Sequence, residues 1–307
     1  MRTAIGIDIG GTTVKCGLVD EFGVIRAHWE QPSPSSVDTF AHLLRGVVAK
    51  WPDAGGVGFG CKGIVDPLTT EVVRSPGPVV FLEGTRLAAL AGWDKPARGD
   101  NDARAAMAGE VLWGSAKGRK DALMFTLGTG VGGAILANGR IVRGAEGIAG
   151  HLGHVTVEAD GVECICGNRG CIETVFSAKA IESAATRAVH AGCDTELAAA
   201  EVTCEAVFLA ASHQDRVARG IVDRAVRRLG AAMAGLLFAF DPEVVIVGGR
   251  IAAAGEPLLG PLRAEIHERT RRFLGREVPL VPPAVSDGTG VAGAAALVLA
   301  ADGSGTV

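Results

Sequence analysis

The stretch GHVTVEADGVECICGNRGC, residues 153–171, brings together His154, Cys164, Cys166 and Cys171, whereas Cys16, Cys61, Cys193 and Cys204 are scattered singly. Thiolates and imidazole are ligands that tetrahedral Zn²⁺ prefers, and three Cys with one His is a common structural set. The C-x-C-x₄-C spacing puts glycines where the backbone must fold around an ion. With all four coordination positions filled by protein there is no opening for a catalytic water, so the metal is expected to be structural. His151 and Glu173 flank the ligands. A metal-clamped loop would fix these two polar side chains relative to each other, which suits a small, hydroxyl-rich ligand. Plain solvent exposure would account for Glu173 equally well.

A second group of residues points to phosphate. DIGGTTVK, residues 8–15, ends an apolar run on Asp8 and turns on Gly10 and Gly11, with Thr12 and Lys15 following. Backbone amides in a tight glycine turn can converge on an anion, and an adjacent acid can hold Mg²⁺ through water. A second turn, TLGTG, offers Thr129 and Gly130 but no acid, and VGG at 247–249 ends a strand where an adenosine could lie. Each turn alone is an ordinary hairpin; in this order, two turns facing across a cleft could grip a triphosphate. GDNDARAA places Asp100, Asn101 and Asp102 at a strand-to-helix junction. Helix capping explains such a cluster. A carboxylate there could also take a hydroxyl proton during phosphoryl transfer while the Asn orients the alcohol. The G-x-G-x-x-G pattern occurs in GFGCKG (58–63) and GTGVGG (128–133), but turns and strands follow it rather than a helix. With no P-loop lysine pattern either, a dinucleotide dehydrogenase and a P-loop NTPase are set aside.

The elements that must carry these residues follow from periodicity. AIGIDIGGT from Ala4 and ALMFTLGTG from Ala122 each begin a strand–turn–strand–turn–strand meander, about half a chain apart, so a duplicated domain is expected. Helices are predicted over SVDTFAHLLRGVVAKW with a cap at Ser36, from Asp102 to Gly114, from about Gln214 to Phe240, and in the small-residue GVAGAAALVLA near the end. Alternating strands and helices make an α/β protein, and the final GSGTV reads as frayed. The 307 residues are 48% hydrophobic and 21% charged with a net charge of −4, a globular profile with no basic balance for nucleic acid. No signal peptide or membrane anchor is indicated, so a cytoplasmic protein is expected, where cysteines stay reduced and the cluster favours metal.

Taken together, DIGGTTVK (8–15), DNDARAA (100–106), TLGTGVGG (126–133), GHLGH (150–154), CICGNRGCIET (164–174) and VVIVGG (244–249) resemble the ROK family of sugar kinases and related repressors, over essentially the whole chain. The resemblance implies an actin-like ATPase fold of two ribonuclease-H-like lobes with ATP and a hexose in the interlobe cleft. The lobes would span 1–113 and 114–289, with a final helix at about 290–301 packing back onto the first. Asp102 would be the base that takes the sugar hydroxyl proton. Asn101, Gly63, His151, His154 and Glu173 would bind the sugar, and His154, Cys164, Cys166 and Cys171 would ligate zinc. Asp8, Gly10, Gly11, Thr12 and Lys15 would face phosphate and Mg²⁺, with Thr129 and Gly130 opposite and Gly248 and Gly249 near adenosine. The implied enzyme is an ATP-dependent hexokinase acting at the 6-hydroxyl, first of glucose, and the family suggests a homodimer.

Two positions depart from the glucokinase pattern. His151 stands where most ROK glucokinases carry Glu, in AGHLGH, which is similar to bacterial N-acetylmannosamine kinases; imidazole can donate as well as accept, so hydroxyl discrimination should change. Lys62 stands where proline is usual. An amino-sugar kinase is therefore the alternative substrate reading. A non-catalytic sugar sensor is the alternative of another class, although Asp102 is retained and Asp8 lies too near the start for a preceding helix-turn-helix.

Overall fold

The structure is a computed structural model that describes residues 1–199, 201–285 and 288–300. The GSGTV tail and residue 301, the last position of the expected final helix, lie outside the described residues. In chain order the elements are β1 (Thr3–Ile9), β2 (Thr13–Asp20), β3 (Ile25–Pro32), α1 (Val37–Lys50), β4 (Val57–Cys61), β5 (Ile64–Val65), β6 (Val72–Arg74), α2 (Leu87–Ala91), β7 (Ala97–Asn101) and α3 (Asp102–Trp113). There follow β8 (Ala122–Leu127), β9 (Val131–Ala137), β10 (Arg140–Ile141), α4 (Glu173–Phe176), α5 (Ala178–His190), α6 (Cys204–Ser212), α7 (Arg216–Phe240), β11 (Val244–Gly248), α8 (Glu256–Thr270), β12 (Leu280–Val281) and α9 (Thr289–Leu299). The described residues of 1–122, 134–150 and 283–307 form one compact unit, and those of 123–133 and 151–282 a second.

The first sheet runs β3-β2-β1-β4-β7. Short turns make β1–β2 and β2–β3 antiparallel, while longer crossovers bring β4 and β7 in parallel to β1. Register then fixes the chemistry. Ile9 lies beside Cys61 and Cys61 beside Asn101, so the residues after them gather at the carboxyl ends of three parallel strands. The second sheet runs β10-β9-β8-β11-β12, the same order of first, second, third, fourth and fifth strand as in the first sheet. The two similar meanders read from the sequence thus sit in equivalent places. The expected third strand of the second meander is only Arg140–Ile141. Arg143 is drawn to Asp100, and Gly144 turns to φ +75°, so the chain leaves the sheet there.

The predicted helices form with their caps. Ser36 accepts from the Thr39 amide at the head of α1, whose Phe40, Leu43, Leu44 and Val47 are buried. Asp215 caps α7 and Gly114 ends α3. Helices α5, α6 and α8 were not predicted. Helix α8 carries Pro261 in its interior besides Pro257 in its first turn, and its apolar residues show little helical spacing. Helix α9 is made of small residues because of what lies beneath it. A Cβ at Gly6 would run into the Val291 carbonyl and one at Gly58 into the Ala294 carbonyl, while Gly293 meets the Ala105 carbonyl of α3. Backbone therefore packs on backbone, and α9 rests on β1, β4 and α3.

Gly6→Ala should lower unfolding free energy by on the order of 1–3 kcal/mol, the usual cost of overpacking a close-packed core. Gly46→Ala, in α1 with nothing within 4 Å of its would-be Cβ, should be neutral or slightly stabilising. Chemical denaturation of both variants compares the two.

Candidate functional site

At the strand ends of the first unit the two neighbouring carboxylates have different fates. Asp100 is fully buried; its Oδ1 accepts from Arg104 Nε at 2.6 Å and the Asn101 amide at 2.8 Å, and its Oδ2 from Arg143 Nε at 2.8 Å. Two guanidiniums and an amide thus occupy both of its oxygens. Asp102, half-buried in the first turn of α3, accepts among the described residues only from the Ala103 amide, at 2.9 Å. It is the carboxylate left able to act as a base. Asn101 is a true cap: its Oδ1 accepts from the Ala103 and Arg104 amides at 3.0 and 3.4 Å. Its Nδ2 donates to the Gly63 carbonyl at 3.0 Å. One Nδ2 hydrogen remains for any ligand. Gly63 has φ +98° and no room for a Cβ against Arg74, so glycine is required there.

Asp8, next to the last residue of β1, lies opposite Lys15 of β2. Burial, then the negative charge of Asp102, pushes its carboxyl up to about 7, against a smaller lowering by Lys15. A bare acid pair of this kind gains from a cation. Gly10 donates to the Thr13 carbonyl at 3.1 Å, closing the turn that carries Gly11 and Thr12.

In the second unit the glycine turn is held from behind. Gly128 donates to the Gly130 carbonyl at 3.0 Å, and the Ala178 amide donates to the Gly128 carbonyl at 2.9 Å. Glu173 Oε2 accepts from the Val131 amide at 2.9 Å, and a Cβ at Gly130 would collide with that oxygen. Thr129 and Gly130 therefore lie in a turn that Glu173 itself secures, leaving Oε1 for a ligand. Gly248 closes β11, and Gly249, at φ +93°, abuts the Leu127 backbone. The rings of His151 and His154 are nearly parallel, at 11° with centroids 6.3 Å apart.

The ligand atoms of His154, Cys164, Cys166 and Cys171 all lie within 4.8 Å of one another. Cys166 Sγ and Cys171 Sγ are 3.7 Å apart, and His154 Nδ1 is 3.5 Å from Cys164 Sγ. Zn–S bonds of about 2.3 Å in a tetrahedron put sulfurs roughly 3.8 Å apart, so the set fits a closed site. Burial, then hydrogen bonding with Cys166 and Cys164, pushes the Cys171 thiol up to about 12. A metal binding there must displace protons. The loop turns at Gly167, whose amide donates to the Cys164 carbonyl at 2.9 Å, and Gly170, at φ +63°, presses on Glu158. Glu158 accepts from Arg224 and Arg228 of α7, at 2.8 and 2.9 Å, tying the loop to the longest described helix.

The profile of the ROK family matches residues 4–301. The chain belongs to the ROK family. It is 34% identical to a glucokinase of Thermotoga maritima, with 96% of each chain covered. It is 35% identical to a glucokinase of Halalkalibacterium halodurans, over 85% of this chain and 84% of that protein. A ROK family glucokinase from Streptomyces griseus, solved in complex with glucose and AMPPNP, superposes with a TM-score of 0.79 at 30% identity, covering 96% of this chain and 99% of that one. The fold is the actin-like ATPase fold of ROK kinases.

Within this ROK chain, the ammonium of Lys62 makes no hydrogen bond or ion pair among the described residues, although its carbonyl accepts from Ser75 Oγ at 2.8 Å. Sequence reasoning passed over Arg104 and Arg143. A basic residue four positions after Asp100, where a helix face returns, was the available signal for the first; nothing local marks Arg143. No described helix is long and apolar enough to cross a membrane.

Asp8 carries a pH signature. Its folded pKa of about 7 lies above the ordinary 3.8, so the folded state holds the proton longer and stability falls as pH rises through that window. Thermal melts of the ligand-free protein should show this fall, and Asp8→Asn should flatten it.

Proposed function

We propose that this chain is an ATP-dependent hexokinase that transfers the γ-phosphoryl group of Mg-ATP to the 6-hydroxyl of a hexose, with glucose as its first substrate. The observation that carries the reading is the match, in sequence and fold and over nearly the full length of both chains, to a glucokinase solved with glucose and AMPPNP. The geometry around Asp102 supports it. As the bond between the sugar oxygen and the γ-phosphorus forms and the bond to the β,γ-bridging oxygen breaks, Asp102 accepts the hydroxyl proton and ADP leaves. Asp100, held by two arginines, is unsuited to that task.

We assign sugar contacts to Asn101, Gly63, His151, His154 and Glu173. Asn101 would give its remaining N–H and Glu173 its remaining oxygen. We assign the phosphates to the turns at Gly10, Gly11 and Thr12 with Lys15, and at Thr129 and Gly130, and the adenosine to Gly248 and Gly249. Asp8 would hold Mg²⁺, which would supply charge neutralisation on the phosphates. Zn²⁺ on His154, Cys164, Cys166 and Cys171 supplies a rigid tie for the recognition loop, and the chemistry of transfer belongs to other residues. His151 supports a second substrate reading, an amino-sugar kinase, because its imidazole offers a donor that a carboxylate lacks.

A coupled ADP-release assay with Mg-ATP across glucose, mannose, fructose, allose, N-acetylglucosamine and N-acetylmannosamine tests the reading. Strong release with glucose supports it, a preference for N-acetylmannosamine shifts it to the second substrate, and silence with every sugar overturns it in favour of a sugar sensor. Asp102→Ala should reduce kcat by about 10²–10⁴-fold, the usual worth of a general base, while nucleotide still binds. Near-normal turnover would remove Asp102 from the role. Metal analysis of untagged protein should give about one zinc per chain, and Cys166→Ser should lose it; an intact fold without zinc would rule the assignment out.

A further inference from the structure

Asp100 does more than yield the base role to its neighbour. Its carboxylate joins two stretches of the first unit that are distant in sequence. On one side it bonds the Asn101 amide and Arg104, and so holds the stretch that carries Asn101 and Asp102. On the other it bonds Arg143, at the start of the glycine-rich run Arg143–Gly150. Arg104 then reaches into that run: its Nη1 donates to the Gly147 carbonyl at 3.0 Å and to the Ala149 carbonyl at 2.9 Å. The Ala149 amide closes back on the Arg143 carbonyl at 3.1 Å.

The run needs such an anchor. Gly144, Gly147 and Gly150 all have positive φ, and glycine gives the unfolded chain the most freedom to lose. It lies outside any helix or strand, so no regular backbone ladder serves it, and its Gly147 and Ala149 carbonyls take a side chain as partner. Arg104 is 1% exposed, and its planar fork allows one guanidinium to serve a carboxylate and two carbonyls at once. Its Nη2 finds no protein acceptor, so Nε and Nη1 carry its hydrogen bonds. From Gly150 the chain passes directly into His151 and the turn Leu152–His154.

We propose that Asp100, Arg104 and Arg143 form a positioning set that holds Arg143–Gly150 and thereby places His151 for the sugar, without touching the reacting atoms. This rests on the hexokinase reading. Removing Asp100, or all of Arg104, would strand a buried charge and risk unfolding, so two gentler variants carry the test. Arg143→Ala removes the partner that is 28% exposed. Arg104→Lys keeps a cation near Asp100 but loses the forked donors to Gly147 and Ala149.

The two variants and Arg143→Lys would be compared with wild type in steady-state kinetics with the best sugar, and by amide hydrogen exchange over residues 144–154 in the ligand-free protein. Both loss variants should raise the KM for sugar about tenfold while kcat and the KM for ATP stay within about twofold, and Arg143→Lys should recover most of the loss. Exchange over 144–151 should quicken in both. Unchanged sugar KM in the folded variants, or kcat and both KM values worsening together, would overturn the proposal. If wild type phosphorylates no sugar, the hexokinase reading fails. The exchange measurement then decides the anchor by itself, and unchanged protection would refute it.

Discussion

The first unit depends on one close approach: α9 lies so near the sheet that Gly6 and Gly58 have no room for a methyl group, and the helix backbone meets the strand backbone directly. Packing of this kind leaves little slack, because there are no long side chains to readjust. Strands β1 and β4 are thus fixed by the last described helix of the chain, and β1 carries Asp8 next to its last residue while β4 leads into Lys62 and Gly63. Helix α3, whose first turn carries Asp102, is pressed against α9 through Ala105, Gly109 and Gly293. Residues from both ends of the sequence therefore set the position of the candidate base and its neighbouring acid. Glu110 adds to the same arrangement, since its buried carboxylate accepts from the Ala284 and Val285 amides just ahead of α9.

Charge is distributed across the candidate site by burial and by partners. Two aspartates separated by one residue differ because arginines reach one and only a backbone amide holds the other. Asp8, with burial and a neighbouring anion against it, holds its proton to near neutrality. Such a carboxyl is poised to exchange a proton for a cation, the behaviour wanted if the neighbouring turn holds phosphate as proposed.

Much of this was legible because the relevant signals are local. The meanders, the Ser36 and Gly114 boundaries of their helices, and the Cys–His cluster each announce themselves within a short window. The cluster's four ligand atoms do converge. What the sequence did not display were non-local partners. Nothing near Arg143 names Asp100, and nothing near Glu173 names the Val131 amide. The shortness of β10 follows from the first of these contacts, and so could not be read from RIVRG. The second role of Asn101, as a cap, was readable, but its bond to Gly63 was not.

The contact between Glu173 and the turn at Gly130 has a consequence for how such a protein can change over time. The carboxylate oxygen occupies the space that any side chain at position 130 would need. A side chain at position 130 therefore requires the Glu173 carboxylate to swing aside, which breaks its bond to the Val131 amide, or to be shortened. A lineage that shortens the acid at position 173 opens space at position 130 but gives up the bond that secures the turn. Two residues far apart in the chain are thus coupled, and a change at one alters what the other position can hold.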